Sequence, residues 1–134
     1  MSSDFWNSPK WILDLFSTYH DPCPENHKID AFSYDWCEHH NQVFVNPPYS
    51  DPKRWVKYAI NQHKIYPNST IVLLMRHDSS TEWYRMLHEY GAHFLLCGSR
   101  LKFRPQTKLR DQRNAGYNVS LKPANFASVL IVLS

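Results

Sequence analysis

The sequence predicts a single α/β domain with a mostly parallel sheet and a C-terminal antiparallel pair of strands at the sheet edge. Two short apolar runs rich in β-branched residues, 43–45 and 70–75, are typical of buried strands. Segments of helical periodicity follow both runs, as in strand–helix–strand units. The last apolar run, 127–133, follows a loop instead of a helix, so it should pair antiparallel with the strand before it.

The composition bounds the class of protein. The chain has 134 residues, which suits one domain spanning 1–134, and its hydrophobic content of 43% can form a core. It has no apolar run of membrane-spanning length and no secretory signal pattern, so we expect a soluble, cytoplasmic protein. A net charge of +3 permits a nucleic-acid partner without requiring one. The three glycines are too few for a glycine-rich phosphate loop.

The first predicted helix covers 9–18. Ser8 is a suitable N-cap residue, and Pro9 favours the first helical position. Apolar residues then recur at helical spacing, which predicts a buried stripe made of Trp11, Ile12, Leu15 and Phe16.

The segment 19–24 is predicted to be a short strand that ends at proline. The next stretch, 25–42, has only 18 residues, and a single crossover already takes at least about 10–12. We therefore expect a sheet that is truncated on this side, with Ile29 to Phe32 and Trp36 as a short wall beside a ligand. Asp30 or Asp35 could bind hydroxyl groups there.

The strand 43–45 ends in Asn46-Pro47-Pro48-Tyr49, which should be a stiff, extended tip because neither proline can donate to a sheet ladder. The Asn46 amide and the Pro47 carbonyl can both accept hydrogen bonds from one amine. Tyr49 offers a ring on which a planar base can stack. In open α/β sheets, ligands bind at this end of the strands. The alternative is a plain Asn-Pro turn.

The next helix should begin at Ser50 or Asp51 with Pro52 near its start. Its predicted buried stripe is Trp55, Val56, Ala59 and Ile60, whereas Lys53, Arg54 and Lys57 stay in solvent or touch phosphate. The strand 70–75 is apolar on both faces and should be central. Residues 76–78 should therefore lie beside the Asn46 tip.

The third helix should start with a capping box from Ser79 to Glu82 and end at Gly91. Trp83, Leu87 and Tyr90 should face the core. A strand at 93–97 and a basic loop at 104–126 follow. The length and charge of this loop indicate a functional or disordered segment.

Six short motifs occur in an order that resembles the phage-type DNA N6-adenine methyltransferase (Dam-like) family, within the S-adenosylmethionine-dependent amino-methyltransferases. The resemblance covers nearly the whole chain. The motifs are Trp6-Asn7-Ser8-Pro9-Lys10, Asp21-Pro22-Cys23-Pro24, Asp30 to Trp36, Asn46 to Ser50, Thr81-Glu82-Trp83-Tyr84 and Arg100-Leu101-Lys102-Phe103.

The resemblance implies a reduced Rossmann-like methyltransferase that uses S-adenosylmethionine and no metal to methylate adenine in double-stranded DNA, in the host bacterial cytoplasm if a phage encodes it. The implied catalytic residues are Asn46, Pro47, Pro48 and Tyr49. The implied cofactor-binding residues are Trp6, Pro9, Asp21, Pro22, Asp30 and Asn46. The implied target-recognition segment is 100–126. The implied nucleic-acid-binding residues are Ser50, Arg54, Arg100, Lys102, Arg104, Lys108, Arg110 and Arg113.

Several alternatives stay open. The same tip serves enzymes that methylate adenine in RNA, cytosine N4 or a protein glutamine, and a shortened cofactor half could leave a module that only binds nucleic acid. Zinc ligand types are present, but their spacing matches no standard zinc pattern, so we predict no metal; these residues are Cys23, His27, Cys37, His39 and His40.

Overall fold

The structure is a computed structural model, and it describes residues 6–24, 28–96, 102–105, 122–123 and 127–134. Within these ranges a four-stranded sheet is covered by helices, and three short strands form a second sheet. No described helix is long and apolar enough to cross a membrane. In chain order the elements are β1 (Trp6–Asn7), α1 (Lys10–Leu15), a 3-10 helix (Ala31–Ser33), β2 (Gln42–Val45), α2 (Pro52–Ile65), β3 (Thr70–Arg76), α3 (Glu82–Tyr90), β4 (His93–Leu96), β5 (Lys102–Pro105), β6 (Lys122–Pro123) and β7 (Ser128–Leu133).

The main sheet has the strand order β2-β3-β7-β4. The predicted central position of β3 is confirmed, with β2 parallel to it in the register Val45↔Leu73. The last strand, β7, pairs antiparallel with β4, the strand predicted at 93–97, as expected, but it also pairs antiparallel with β3. The sheet is therefore mixed, not mostly parallel, and the last strand lies inside it while β4 forms the edge.

The burial of β7 gives a physical reason for this order. Val129, Ile131 and Leu133 are buried on one face, and Leu130 and Val132 pack against a second cluster on the other. A strand that is apolar on both faces is most stable in the interior of a sheet.

Two hydrophobic clusters cover the two faces of the sheet. Ile71, Leu73 and Met75 of β3 belong to a large cluster with residues of α2 and α3. Val72 and Leu74 belong to a small cluster with Ile12 and Phe44. The predicted alternation of β3 between two covered faces is therefore confirmed.

The helix α1 is shorter than predicted, and the prediction that Trp11 and Leu15 are buried is wrong. Trp11 is 55% exposed and Leu15 is 62% exposed, whereas Ile12 is fully buried. Because α1 has only six residues, only a small part of its surface packs against the small cluster. Ser8 does not cap α1, because Pro9 occupies the N-cap position and no side chain caps the helix.

The predicted position and buried stripe of α2 are confirmed. Asp51 is its N-cap residue, but the Asp51 side chain makes no capping bond. The capping box predicted for α3 is wrong. Thr81 is the N-cap, and its hydroxyl accepts a hydrogen bond from the Tyr84 N–H at 3.3 Å. In the preceding turn, Ser80 donates hydrogen bonds to the Asp78 carboxylate. The helix α3 ends as predicted at Gly91, which has a φ of 94°.

The sheet is truncated beside β2, as expected. The short strand predicted at 19–24 is wrong, because this segment contains only an isolated parallel bridge between His20 and Val43. The His20 N–H donates to the Gln42 carbonyl and the Phe44 N–H donates to the His20 carbonyl, both at 2.9 Å. In the described range 28–41 the only regular element is the 3-10 helix.

The second sheet joins the N-terminal segment to part of the predicted basic loop. Its order is β1-β5-β6, with Asn7 paired to Arg104 and Lys102 paired to Pro123. The prediction of a loop throughout 104–126 is therefore wrong where β5 and β6 occur. The remaining residues of that loop lie outside the described ranges.

Candidate active site

The predicted tip lies at the carboxyl ends of two adjacent parallel strands. Asn46 follows β2 directly, and Val45 pairs with Leu73 of β3. Because both strands run in the same direction, Asn46–Tyr49 and Arg76–Asp78 leave the sheet at the same edge, as the sequence predicted. Pro47 is buried, whereas Asn46 and Tyr49 are half-buried.

The Asn46 amide contacts a residue that lies 38 positions earlier in the sequence. Asn46 Nδ2 donates to the hydroxyl oxygen of Ser8 at 3.1 Å. Ser8 is almost completely buried, with 3% exposure. Since the nitrogen and oxygen occupy opposite corners of the amide, this bond directs Asn46 Oδ1 away from Ser8. Oδ1 is the acceptor atom of this amide.

A small cavity adjoins the tip on the side of β3. Its volume is about 180 Å³, below the range of drug-sized pockets and suited to a single planar ring system. Tyr49 lies in its wall, and burial raises the pKa of Tyr49 to about 12, although the charge of Arg76 acts in the opposite direction. The lining residues are Pro47, Pro48, Tyr49, Pro52, Leu74, Met75, Arg76, Asp78, Thr81 and Trp83.

The first predicted cofactor residues, Asp21 and Pro22, follow the His20 bridge. Because His20 pairs parallel with Val43, Asp21 leaves the sheet at the same edge as Asn46. Asp21 Oδ1 accepts a hydrogen bond from the Cys23 N–H at 2.9 Å, which holds the carboxylate in a local turn. Pro22 is buried.

The two candidate hydroxyl-binding acids have different environments. Asp30 is exposed, and its carboxylate accepts from the Phe32 N–H at 2.9 Å as the cap of the 3-10 helix. Asp35 accepts from Gln62 Nε2 at 3.0 Å and from the Tyr66 hydroxyl at 3.1 Å, so each of its oxygens has a side-chain donor. Asp30 is therefore the more accessible of the two carboxylates.

The prediction that Trp36 forms part of a wall beside a ligand is wrong. Its side chain is fully buried, donates from Nε1 to the Ala31 carbonyl at 2.7 Å, and packs against Trp55 and Tyr58. The indole is therefore part of the main core and offers no surface to a ligand. Ile29, by contrast, is 67% exposed.

The remaining cofactor-binding predictions lie at the N-terminal segment. Pro9 is buried next to Ser8, and the backbone of Trp6 pairs with Pro105. The structure thus brings a predicted cofactor segment next to β5, which carries predicted nucleic-acid-binding residues.

The predicted nucleic-acid-binding residues fall into separate groups. Ser50 and Arg54 are exposed near the start of α2, and the Arg54 guanidinium lies 4.1 Å from the ring centroid of Phe32. Lys53 forms an ion pair with Glu82 at 2.9 Å. The backbones of Lys102 and Arg104 lie in β5. The other predicted residues, Arg100, Lys108, Arg110 and Arg113, lie outside the described ranges.

Sequence reasoning missed the contact of Ser8 with Asn46. A serine before Pro-Lys at the start of an apolar periodic segment predicts a helix cap, and no local pattern identifies a partner 38 positions away. It also did not predict that Thr81 and Trp83 would line the cavity beside Tyr49. Only their membership of an ordered motif pointed to these two residues.

No group of three or more histidine, cysteine or acidic side chains in the described part of the chain could hold a metal ion. Of the zinc-type residues, His40 stacks on His20 with ring centroids 4.1 Å apart, and His20 Nε2 bonds to the Tyr34 hydroxyl at 2.7 Å. Burial, and secondarily His40, lower the pKa of His20. His27 lies outside the described residues.

Comparison with known proteins tests the family expected from the motifs. The profile of the DNA N-6-adenine-methyltransferase (Dam) family matches residues 2–132. The chain is also similar to a DNA N-6-adenine-methyltransferase of Haemophilus phage HP1 (strain HP1c1), with 29% identity over 117 residues. That match covers 75% of this chain and 66% of the relative, slightly less than two thirds of its length. No solved structure gives a significant match. Because the family profile spans nearly the whole sequence, the chain belongs to the DNA N-6-adenine-methyltransferase (Dam) family.

Proposed function

We propose that the protein transfers a methyl group from S-adenosylmethionine to the N6 amine of adenine in double-stranded DNA. The observation that carries this proposal is the placement of Asn46 and Tyr49 at the carboxyl end of β2, with the Asn46 amide oriented by Ser8. Membership of the Dam family supports the same activity.

In this proposal the tip binds the target amine. Asn46 Oδ1 and the Pro47 carbonyl each accept one hydrogen bond from N6, so the nitrogen becomes more pyramidal and directs its lone pair out of the ring plane. S-adenosylmethionine supplies an activated methyl group on a sulfonium. Transfer of that methyl group to N6 would break its bond to sulfur and leave a neutral thioether, and the methylated amine would lose its extra proton to solvent. The tip would contribute mainly by holding N6 in position for this transfer.

The adenine must leave the base stack, because its N6 cannot be reached inside a duplex. Tyr49 supplies a stacking ring for the extruded base, and the cavity of about 180 Å³ beside it suits one planar base. With a pKa raised to about 12, Tyr49 stays uncharged at neutral pH and well above it. A neutral ring can stack on adenine without the cost of a buried charge.

The residues of the His20 segment fit the cofactor in chemical type. Asp21 presents a carboxylate at the same sheet edge as Asn46, and a carboxylate can pair with the ammonium group of the methionine moiety. Trp6, Pro9, Pro22 and Asp30 complete the proposed set.

We further propose that residues 1–134 act as one reduced Rossmann-like methyltransferase domain, with target recognition by the segment 100–126. The mixed sheet, with helices on both faces, is compatible with this architecture. Its proposed DNA contacts include Lys102 and Arg104 in β5 and the exposed residues Ser50 and Arg54 near the start of α2.

One observation favours a second candidate function. The strand expected at 19–24 is reduced to a single bridge, so among the described residues this side of the sheet offers few walls to enclose a cofactor. A protein of this kind could have lost catalysis and retained only nucleic-acid binding.

One assay separates these functions. The protein is incubated with tritiated S-adenosylmethionine and with duplex DNA, single-stranded DNA, RNA or protein, and the labelled product is digested and analysed. We expect N6-methyladenine from duplex DNA. Label in RNA adenine, cytosine N4 or glutamine would change the substrate, and the absence of transfer to every substrate would favour the binding module.

A further inference from the structure

The contact between Ser8 and Asn46 has the features of a built interaction. The Ser8 hydroxyl is buried, and it accepts a hydrogen bond from Asn46 Nδ2 at 3.1 Å. Ser8 is not needed as a helix cap, since α1 begins after Pro9 without any side-chain cap. The polar group of Ser8 is therefore buried in contact with the tip residue and does not serve α1.

The backbone on both sides of Ser8 is held in place by regular structure. Asn7 pairs with Arg104 in the second sheet, and α1 begins two residues after Ser8. Phe16, which follows α1, stacks on Phe44 in β2. Ser8 is thus fixed relative to the strand that carries Asn46, so its hydroxyl has a defined position.

An asparagine amide can occupy two orientations that differ by a half-turn, and they exchange a donor for an acceptor. If Nδ2 faced the target amine, two N–H groups would point at each other. A hydrogen-bond partner for Nδ2 on the opposite side favours the orientation in which Oδ1 faces the amine. In the structure the Ser8 hydroxyl accepts from Nδ2, and this bond holds the amide in that orientation.

We propose that Ser8 is a positioning residue that holds the Asn46 amide in the orientation with Oδ1 turned away from Ser8, where it can face the target amine. This inference rests on the proposed methyl transfer, in which Asn46 Oδ1 accepts a hydrogen bond from the target amine. Ser8 acts through Asn46 and does not itself contact the substrate.

The test compares Ser8→Ala with the wild-type protein in steady-state methyl transfer. We expect the kcat to fall by about tenfold to a hundredfold, the scale of one misdirected transition-state hydrogen bond, with the KM for DNA changing by less than about threefold. Ser8→Thr keeps the hydroxyl and should restore most of the kcat. The matched control is Ser128→Ala, which removes another buried serine hydroxyl that has no hydrogen-bond partner in the described structure and should leave the kcat unchanged.

A double-mutant cycle separates positioning from a general structural role. If Ser8 acts only through Asn46, the Ser8→Ala change should have no further effect on the kcat of Asn46→Ala. A loss of equal size in both backgrounds would overturn the proposal. Thermal unfolding of each variant verifies that the compared proteins are folded.

The outcomes also separate this inference from the proposed function. An active wild type with an equally active Ser8→Ala variant would overturn the role of Ser8 alone. A wild type that methylates no substrate would overturn both. Side-chain amide exchange measured by NMR adds a readout without turnover: the Asn46 NH₂ protons should exchange faster in Ser8→Ala than in the wild type, and equal rates would contradict the proposal.

Discussion

The ring of Phe16 lies nearly parallel to the ring of Phe44, with 4.7 Å between their centroids and 8° between their planes. Phe44 is in β2, two residues before Asn46, and Phe16 directly follows α1. This stack therefore attaches the N-terminal segment to the strand that carries the candidate active site.

We predict that Phe16→Ala lowers the free energy of unfolding by about 2 kcal/mol, because it removes a half-buried ring and a stacked aromatic pair. Urea denaturation measures the change. Leu15→Ala is the matched control on the preceding residue, which is largely exposed, and should stay within about 0.5 kcal/mol of wild type. Equal losses in the two variants would mean that the stack does not contribute specifically.

Asn46→Ala should lower methyl transfer by roughly a hundredfold or more, because it removes a preorganised acceptor needed mainly in the transition state. Binding of S-adenosylmethionine, followed by calorimetry, should change little. Asn61→Ala, on the exposed face of α2, is the control and should keep wild-type activity. Full activity in the Asn46 variant would exclude the catalytic assignment.

The Tyr49 ring, and not its hydroxyl, should contribute to activity. Burial raises the pKa of Tyr49 to about 12, so the hydroxyl stays protonated in ordinary assays. We expect Tyr49→Phe to keep activity within a few-fold, with a pH–rate profile that matches wild type up to about pH 10. Tyr49→Ala should lose about tenfold or more in DNA affinity or rate because the stacking ring is removed. A strong loss in Tyr49→Phe would show that the hydroxyl is required.

The same pKa predicts a dependence of stability on pH. The folded state holds the Tyr49 proton more tightly than the unfolded chain, whose tyrosine pKa is about 10. This contribution to stability is complete below about pH 10 and is lost as the pH rises towards 12. Denaturant titrations from pH 9 to pH 11 should show a steeper decline for wild type than for Tyr49→Phe.

Asp21→Asn should weaken S-adenosylmethionine binding by roughly tenfold to a hundredfold, because it removes one partner of a charge-assisted pair. Asparagine keeps an oxygen that can accept from the Cys23 N–H, so the local turn should persist. Calorimetric titration compares the two proteins, and we expect weak wild-type binding, on the order of 10 μM. Equal affinities would move the cofactor's anchor to Asp30 or Asp35.

Replacing Lys108, Arg110 and Arg113 with glutamine should weaken DNA binding and flatten its dependence on salt by about 0.9 in log–log slope for each phosphate that the variant no longer neutralises. Cofactor affinity should not change. Lys64→Gln, in the last turn of α2, is the control and should keep the wild-type slope. An unchanged slope in the triple variant would exclude these residues from the DNA interface.

Local patterns predicted the elements next to the candidate site. The β-branched run before Asn46 and the periodic stripe of α2 each contain enough residues for their period to be recognised, and both elements were found where expected. The two consecutive prolines that follow this strand also identified the tip. The ordered motifs identified the family, which the family profile confirms.

Features that depend on distant partners could not be predicted in this way. The six residues of α1 make less than two full turns, so their periodicity did not show that Trp11 points to solvent. Trp36 lies in a polar stretch of the sequence, so the local pattern did not indicate that its side chain belongs to the main core. The apolar run of β7 is compatible with an interior strand, but local patterns do not indicate that its neighbours are β3 and β4.

The interior position of β7 also has a consequence for how the chain folds. Ile71 pairs with Leu133, so the centre of the sheet forms only when residues far apart in sequence meet, a topology that folds slowly. A chain that ended before Ser128 would leave β3 and β4 with unpaired edges flanking a gap. Exposed apolar edges of this kind promote aggregation, so synthesis of the last strand completes the sheet and also protects the earlier strands from pairing with other chains.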